Sequence, residues 1–85
     1  MSDMNEPKYF LDITADVCPM TFVKTKLLLE RMPVGAHATV RLRGAEPLAN
    51  VPRAVVAHGH EVIALVPETD ATAPRDPHLL TVRRK

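Results

Sequence analysis

The feature that most constrains the fold of this chain is the order in which two hydrophobic periodicities follow each other. In the ranges 8–14, 37–43, 61–66 and 78–84, apolar and polar or β-branched residues succeed each other as they do in strands. In the ranges 19–32 and 48–57, apolar residues recur every three or four positions, as they do in amphipathic helices. The sequence therefore predicts the element order βαβαββ.

This order restricts how the strands can pair. The first two strands are separated by a helix, so they are expected to lie parallel with a right-handed crossover. The last two strands are joined without a helix and are expected to form an antiparallel hairpin. Because the strands alternate, one face of the sheet is buried, and both helices must lie on that face. We predict an α/β fold of the α+β two-layer sandwich type, with a mixed four-stranded sheet and two helices on one face.

The remaining segments set the domain boundaries. Eighty-five residues form a single domain, which we place at 8–85 behind a flexible tail, 1–7. Pro33 and Gly35 end the first helix, and the proline-rich range 67–77 predicts a mobile loop. Pro52 lies inside the second helical segment and predicts either a kink or a late start at Asn50.

The first helix carries two apolar stripes, of which only one can face the sheet. The stripe that contains an aromatic residue and continues to the helix end is assigned inward. It consists of Phe22, Thr25, Leu28, Leu29 and Met32. The other stripe, Met20, Val23 and Leu27, is expected to be exposed. An exposed apolar stripe of this kind would form a partner surface.

Composition excludes several classes of function. A net charge of +1 and only three aromatic residues argue against nucleic-acid binding, so contact of the basic C-terminal residues with RNA is the weaker alternative. A single cysteine fits a reducing compartment. The acidic start does not resemble a signal peptide, and no apolar stretch is long enough to span a membrane. We expect a cytoplasmic monomer.

The most informative single residue is Cys18, which stands between the first strand and Pro19. Proline suits the first helical position, so the sulfur is expected at the positive end of the helix dipole. A terminus effect of about 1–1.4 kcal/mol lowers a thiol pKa of about 8.5 by about one unit. At pH 7.5 the thiolate fraction then rises from about a tenth to about a half. Local position alone therefore predicts a nucleophilic cysteine, although lone cysteines are often only small core residues.

A set of short motifs resembles the TusA/SirA-like sulfur-carrier proteins over residues 8–85. The motifs are Leu11-Asp12, Cys18-Pro19-Met20-Thr21, Gly35, Glu46-Pro47 and Gly59-His60-Glu61-Val62. The resemblance implies a βαβαββ sandwich like the C-terminal domain of a bacterial translation initiation factor. It also implies that Cys18 accepts sulfur as a persulfide from a cysteine desulfurase or rhodanese-like donor and relays it to an acceptor protein. The acceptor would act in tRNA thiolation, cofactor supply or sulfur oxidation.

The motif of that family is Cys-Pro-x-Pro, and this chain departs from it at Thr21. Unlike proline, Thr21 keeps an N–H that can face the sulfur, so Pro19, Met20 and Thr21 are expected to support Cys18 from the start of the helix.

Two other functions compete with the sulfur carrier, which would be a transferase component rather than a self-contained enzyme. One is a non-catalytic regulator that binds protein or RNA through its sheet face and arginines. The other is a thiol redox sensor at Cys18, resolved by another protein's thiol. His58 and His60 do not predict a metal site, since no ligand cluster completes the pair. No cofactor is expected.

Overall fold

The computed structural model describes residues 9–17, 19–69 and 73–85. The strands are β1 (Tyr9–Asp12), β2 (His37–Leu42), β3 (Glu61–Pro67) and β4 (His78–Arg83), and the helices are α1 (Met20–Arg31) and α2 (Ala45–Ala57). The predicted element order, βαβαββ, is confirmed. The predicted tail, 1–7, lies outside the described residues.

The four strands form one mixed sheet in the order β1-β2-β4-β3. β1 pairs with β2 in parallel, and β4 pairs antiparallel with both β2 and β3, as the sequence predicts for the first and last pairs. This arrangement brings three connections to one edge of the sheet: those after β1 and β2, and the β3–β4 loop. We call it the carboxyl edge, because β1 and β2 end there.

The core lies between one face of this sheet and the two helices. Its buried apolar side chains come from both layers: Ile13, Leu28, Leu29, Met32, Ala38, Val40, Leu42, Val51, Val55, Leu80 and Val82. Strands β2 and β4 alternate regularly between buried and half-buried or exposed positions. Because α1 and α2 both contribute to this one cluster, the predicted two-layer sandwich is confirmed.

The opposite face of the sheet carries charges that pair with one another. Arg41 donates to Asp12 at 3.1 Å and to both carboxylate oxygens of Glu68 at 2.9 and 3.1 Å. Arg83 donates to Glu61 at 2.7 Å. The pKa of Asp12 is lowered, chiefly by hydrogen bonds from the backbone and side chain of Thr14 and also by Arg41. These arginines are therefore already engaged within the domain.

The second helix differs from the sequence expectation. A start at Asn50 is wrong: α2 begins at Ala45, and both Pro47 and Pro52 lie within it. Pro47 occupies the first turn, where a backbone N–H would have no helical partner, so its ring costs no hydrogen bond there. The core burial of Pro47, Val51 and Val55 stabilises the helix across Pro52.

The basic C-terminal residues are structural parts of the domain rather than a solvated tail. Arg84 Nη1 donates to the carbonyl oxygens of Glu30 and Met32 at the end of α1, at 2.9 and 2.5 Å. Its backbone amide donates to Ala36 and its carbonyl accepts from Gly35. Arg84 thus caps the end of α1. Its backbone also connects the α1–β2 loop to the chain that follows β4.

No helix among the described residues is long and apolar enough to cross a membrane.

Candidate functional site

The connection between β1 and α1 is fixed by local hydrogen bonds. The Ile13 amide donates to Arg41 O at 2.9 Å and continues the pairing of β1 with β2. Asp12 Oδ1 then accepts from the amide and the hydroxyl of Thr14, at 2.9 and 2.7 Å, and the Asp16 amide donates back to Ile13 O. These bonds form a compact turn at the carboxyl edge. Cys18, the predicted catalytic residue, follows in this connection and lies outside the described residues.

The helix after Cys18 begins one residue later than predicted. Pro19 was expected at the first helical position, but it is the residue before the helix, with φ −91° and ψ 2°. Its carbonyl accepts from the Val23 amide at 3.0 Å, and the Met20 amide donates to Val17 O at 2.8 Å. Because Pro19 supplies the first acceptor of α1, the motif still marks the helix start.

The electrostatics at this helix start favour an anion. The first turn of α1, which is described throughout, contains no acidic side chain that would offset the positive end of the dipole. The carboxylate that is nearest to Cys18 in the sequence, that of Asp16, is paired with Lys24 Nζ at 2.9 and 3.1 Å. Asp16 therefore adds little net negative charge that would oppose a thiolate nearby.

Thr21 has a packing role that the sequence did not reveal. Its side chain is fully buried, and its carbonyl accepts the Thr25 hydroxyl at 2.8 Å. Both threonines therefore lie on the buried side of α1, and the bond to the backbone makes the hydroxyl of Thr25 tolerable in the core. The position that is a proline in the family motif is thus occupied here by a core residue.

The two apolar stripes of α1 differ in exposure. Leu28, Leu29 and Met32 are buried with the two threonines. Phe22 was expected among them but is only half-buried, and its ring packs against His58 at the end of α2, with the ring centroids 5.0 Å apart. The inward assignment of Phe22 is therefore wrong, since that residue lies towards α2.

On the other stripe, Met20 is 43% exposed, Leu27 is 53% exposed, and Val23 is half-buried. Val17, directly before Cys18, is 75% exposed and was not singled out in the sequence. Pro19, on the other side of Cys18, is exposed as well. We call Val17, Met20, Val23 and Leu27 the apolar patch. The sequence did contain a signal for Val17, because it is an apolar residue next to the cysteine that belongs to no helical or strand pattern.

The two histidines have separate contacts. His58 packs on Phe22, whereas His60 Nδ1 accepts the amide of Lys85 at 3.3 Å. In the part of the chain that the structure describes, no three His, Cys, Asp or Glu side chains are placed to hold a metal ion.

Comparison with known proteins finds similarity to sulfur-carrier proteins. A family model described as "Sulfurtransferase TusA" matches residues 9–73. A relative from Archaeoglobus fulgidus, named "Putative sulfur carrier protein", is 42% identical over 60 residues. That match covers 71% of this chain and 68% of the relative. Both matches support a role as a sulfur carrier.

Proposed function

Because the chain belongs to the TusA sulfurtransferase family, we propose that it accepts a sulfane sulfur on Cys18 and relays it, as a persulfide, to an acceptor protein. The observation that carries this proposal is the family match over residues 9–73, which include the Cys-Pro pair at the start of α1. The donor would be a cysteine desulfurase or a rhodanese-like protein, and the lone cysteine fits a reducing, cytoplasmic setting.

The loading step is a thiol–persulfide exchange. The Cys18 thiolate attacks the terminal sulfur of the donor's R–S–SH group, a new S–S bond forms, and the donor S–S bond breaks. The electron pair leaves with the donor sulfur as R–S⁻, and Cys18 becomes Cys–S–SH. Discharge repeats the exchange with a thiolate of the acceptor. No external oxidant or reductant is consumed, so one cysteine is enough.

The surroundings support the thiolate in this step. The first turn of α1 offers backbone dipoles and no competing carboxylate, and Asp16 is neutralised by Lys24. A thiolate stabilised by about one pKa unit is abundant near neutral pH while it keeps most of its intrinsic nucleophilicity.

The apolar patch supports a role for partner proteins in this reaction. A persulfide that is relayed between proteins must be shielded from water and small thiols during exchange. Val17 and Met20 flank Cys18 and Pro19 in the chain, and Leu27 lies two turns further along α1. A partner that covers these exposed side chains would bury apolar area and exclude water around the sulfur.

The relay can be tested by loading and chasing radiolabelled sulfur. The protein is incubated with a cysteine desulfurase and labelled cysteine, separated from the donor, and then mixed with a cell extract that contains acceptor proteins. The account predicts label on the wild-type protein that is lost to other proteins during the chase, and none on Cys18→Ala. If Cys18→Ala keeps full partner binding and the wild-type protein is never labelled, the regulator hypothesis is correct instead.

A further inference from the structure

A cleft of about 420 Å³ opens at the carboxyl edge of the sheet. It is lined by Thr14 from the β1–α1 connection, Arg43 and Gly44 from the β2–α2 connection, and Arg75 and Asp76 from the β3–β4 loop. All three connections at this edge therefore contribute to one concave surface. Thr14 belongs to the same connection as Cys18 and Val17.

The cleft is held open by contacts between these connections. Arg43 Nε donates to Thr14 O at 3.2 Å, and the Gly44 amide donates to Pro74 O at 2.6 Å. Gly44 has a φ of +107°, and a Cβ at this position would lie 3.2 Å from Pro47 Cδ. The loop thus approaches α2 at a residue whose backbone conformation favours glycine.

Among the described residues, the two arginines of the cleft have no acidic partner. Neither Arg43 nor Arg75 forms an ion pair with any described carboxylate, and both are exposed. Asp76, the one acidic residue of the lining, does not lie within ion-pair distance of either guanidinium. On the open sheet face, by contrast, Arg41 and Arg83 are bound to carboxylates. In the described part of the chain, the cleft therefore presents two guanidinium groups that are not paired with a carboxylate, and a guanidinium can donate two hydrogen bonds to one carboxylate.

We propose that this cleft binds a carboxylate side chain of the protein that docks on the apolar patch, so that an acidic segment of the partner contacts the same β1–α1 connection in which Cys18 stands. This inference rests on the proposed function for the identity of the partner. Guanidinium groups match carboxylates in planar geometry and charge, and complementary charges of this kind fix register and speed encounter.

A carboxylate that is carried by a docked protein suits this cleft better than a free anion or a nucleic acid does. Both arginines are exposed, so a free small anion would remain mostly hydrated and bind weakly. A carboxylate carried by a docked protein benefits from its high effective concentration. A nucleic-acid backbone needs a row of cations, whereas the described lining of this cleft contains only two and the chain carries a net charge of only +1.

The first test measures binding without any sulfur chemistry. Because an untethered carboxylate is expected to bind weakly, a capped Gly-Glu-Glu-Gly peptide is titrated to about millimolar concentration into nitrogen-labelled Cys18→Ala protein, and the Nε–H signals of the arginines are followed by NMR. We expect the signals of Arg43 and Arg75 to shift, with no shift for the Gly-Gln-Gln-Gly peptide and none at the exposed Arg53 on α2. Equal shifts at Arg53, no shift at all, or tighter binding of inorganic phosphate would overturn the carboxylate assignment.

The second test measures the effect on the partner. Loading of Cys18 by a cysteine desulfurase should slow by about fivefold in the Arg43→Gln/Arg75→Gln variant at low salt, and the difference should shrink as salt is added. The matched control, Arg53→Gln, should load at the wild-type rate. A double variant that loads normally overturns the docking role, even where the peptide binds. A wild-type protein that is never loaded refutes the proposed function instead, and the peptide titration then still decides whether the cleft binds carboxylates.

Discussion

Replacing Leu27 by lysine can separate an effect on docking from an effect on folding. The neighbouring residue on α1, Leu28, is buried, and the same substitution there serves as the control. Leu27 is 53% exposed, whereas Leu28 is 6% exposed. The same substitution at these two adjacent positions changes charge and helix propensity equally, since leucine and lysine are both good helix formers. Any difference between the two variants therefore reports on burial alone.

The expected loss of stability follows from these exposures. Full burial of a leucine contributes about 1.5–3 kcal/mol, so the half-buried Leu27 contributes about 1 kcal/mol. The methylene groups of a lysine recover part of that by covering the same surface. The Tm of Leu27→Lys should therefore fall by less than about 8 °C. Leu28→Lys places a charge in the core and should lose more than about 3 kcal/mol.

For Leu27→Lys, the effect on the loading rate should be larger than the effect on stability. A charge placed in an apolar contact with the donor should lower kcat/KM for loading by about tenfold, which corresponds to about 1.4 kcal/mol. Leu27→Met keeps the contact apolar and should load at nearly the wild-type rate. Urea denaturation gives the stability, and the initial rate of persulfide formation gives the loading.

Two results would refute this reasoning. If Leu27→Lys unfolds as readily as Leu28→Lys, Leu27 is a core residue and cannot report on docking. If Leu27→Lys is stable and loads at the wild-type rate, the donor docks elsewhere.

Three further outcomes are expected. Arg84→Ala removes the donor that caps the last turn of α1 and should lower the free energy of unfolding by about 1–3 kcal/mol; an unchanged urea midpoint would show that the cap contributes nothing. The lowered pKa of Asp12 means that its ionised form stabilises the fold, so this contribution is present above about pH 4 and is lost as the pH falls through the folded-state pKa. Asp12→Asn should flatten the acid limb of the stability profile, and an acid limb as steep as that of the wild-type protein would contradict the linkage. The alkylation rate of Cys18 plotted against pH should have a midpoint below about 8.5. Thr21→Pro, which removes an N–H from the helix start, should raise this midpoint. An equal or lower midpoint in the variant would mean that the amide does not support the sulfur.

Periodicity was enough to predict the strands and, together with the order of the elements, two of the three strand pairings. The alternation of Ala38, Val40 and Leu42 decides which side chains of β2 face the core, because a one-residue slip would expose them, and β4 follows the same rule. The parallel pairing of β1 with β2 followed from the helix between them. Strong local patterns with few alternatives were therefore predicted correctly.

The predictions that were wrong concern positions where more than one packing arrangement fits the local sequence pattern. Phe22 fits a core stripe by spacing, but the position of α2 decides what it contacts. Pro52 marks a weak point in a helix, yet the core contacts of Val51 and Val55 outweigh it. The cleft around Arg43 is formed by three connections that are distant in sequence, so its existence depends on the strand order and has no local signal.

The central claim is that Cys18 carries the sulfur, and mass spectrometry of one tryptic peptide tests it most directly. Cleavage after Lys8 and Lys24 gives a peptide of residues 9–24 that contains the only cysteine of the chain. After incubation with a cysteine desulfurase and cysteine, the account predicts that this peptide gains the mass of one sulfur atom and loses it again on reduction. A peptide of unchanged mass, from a donor shown to be active towards another acceptor, would contradict the account.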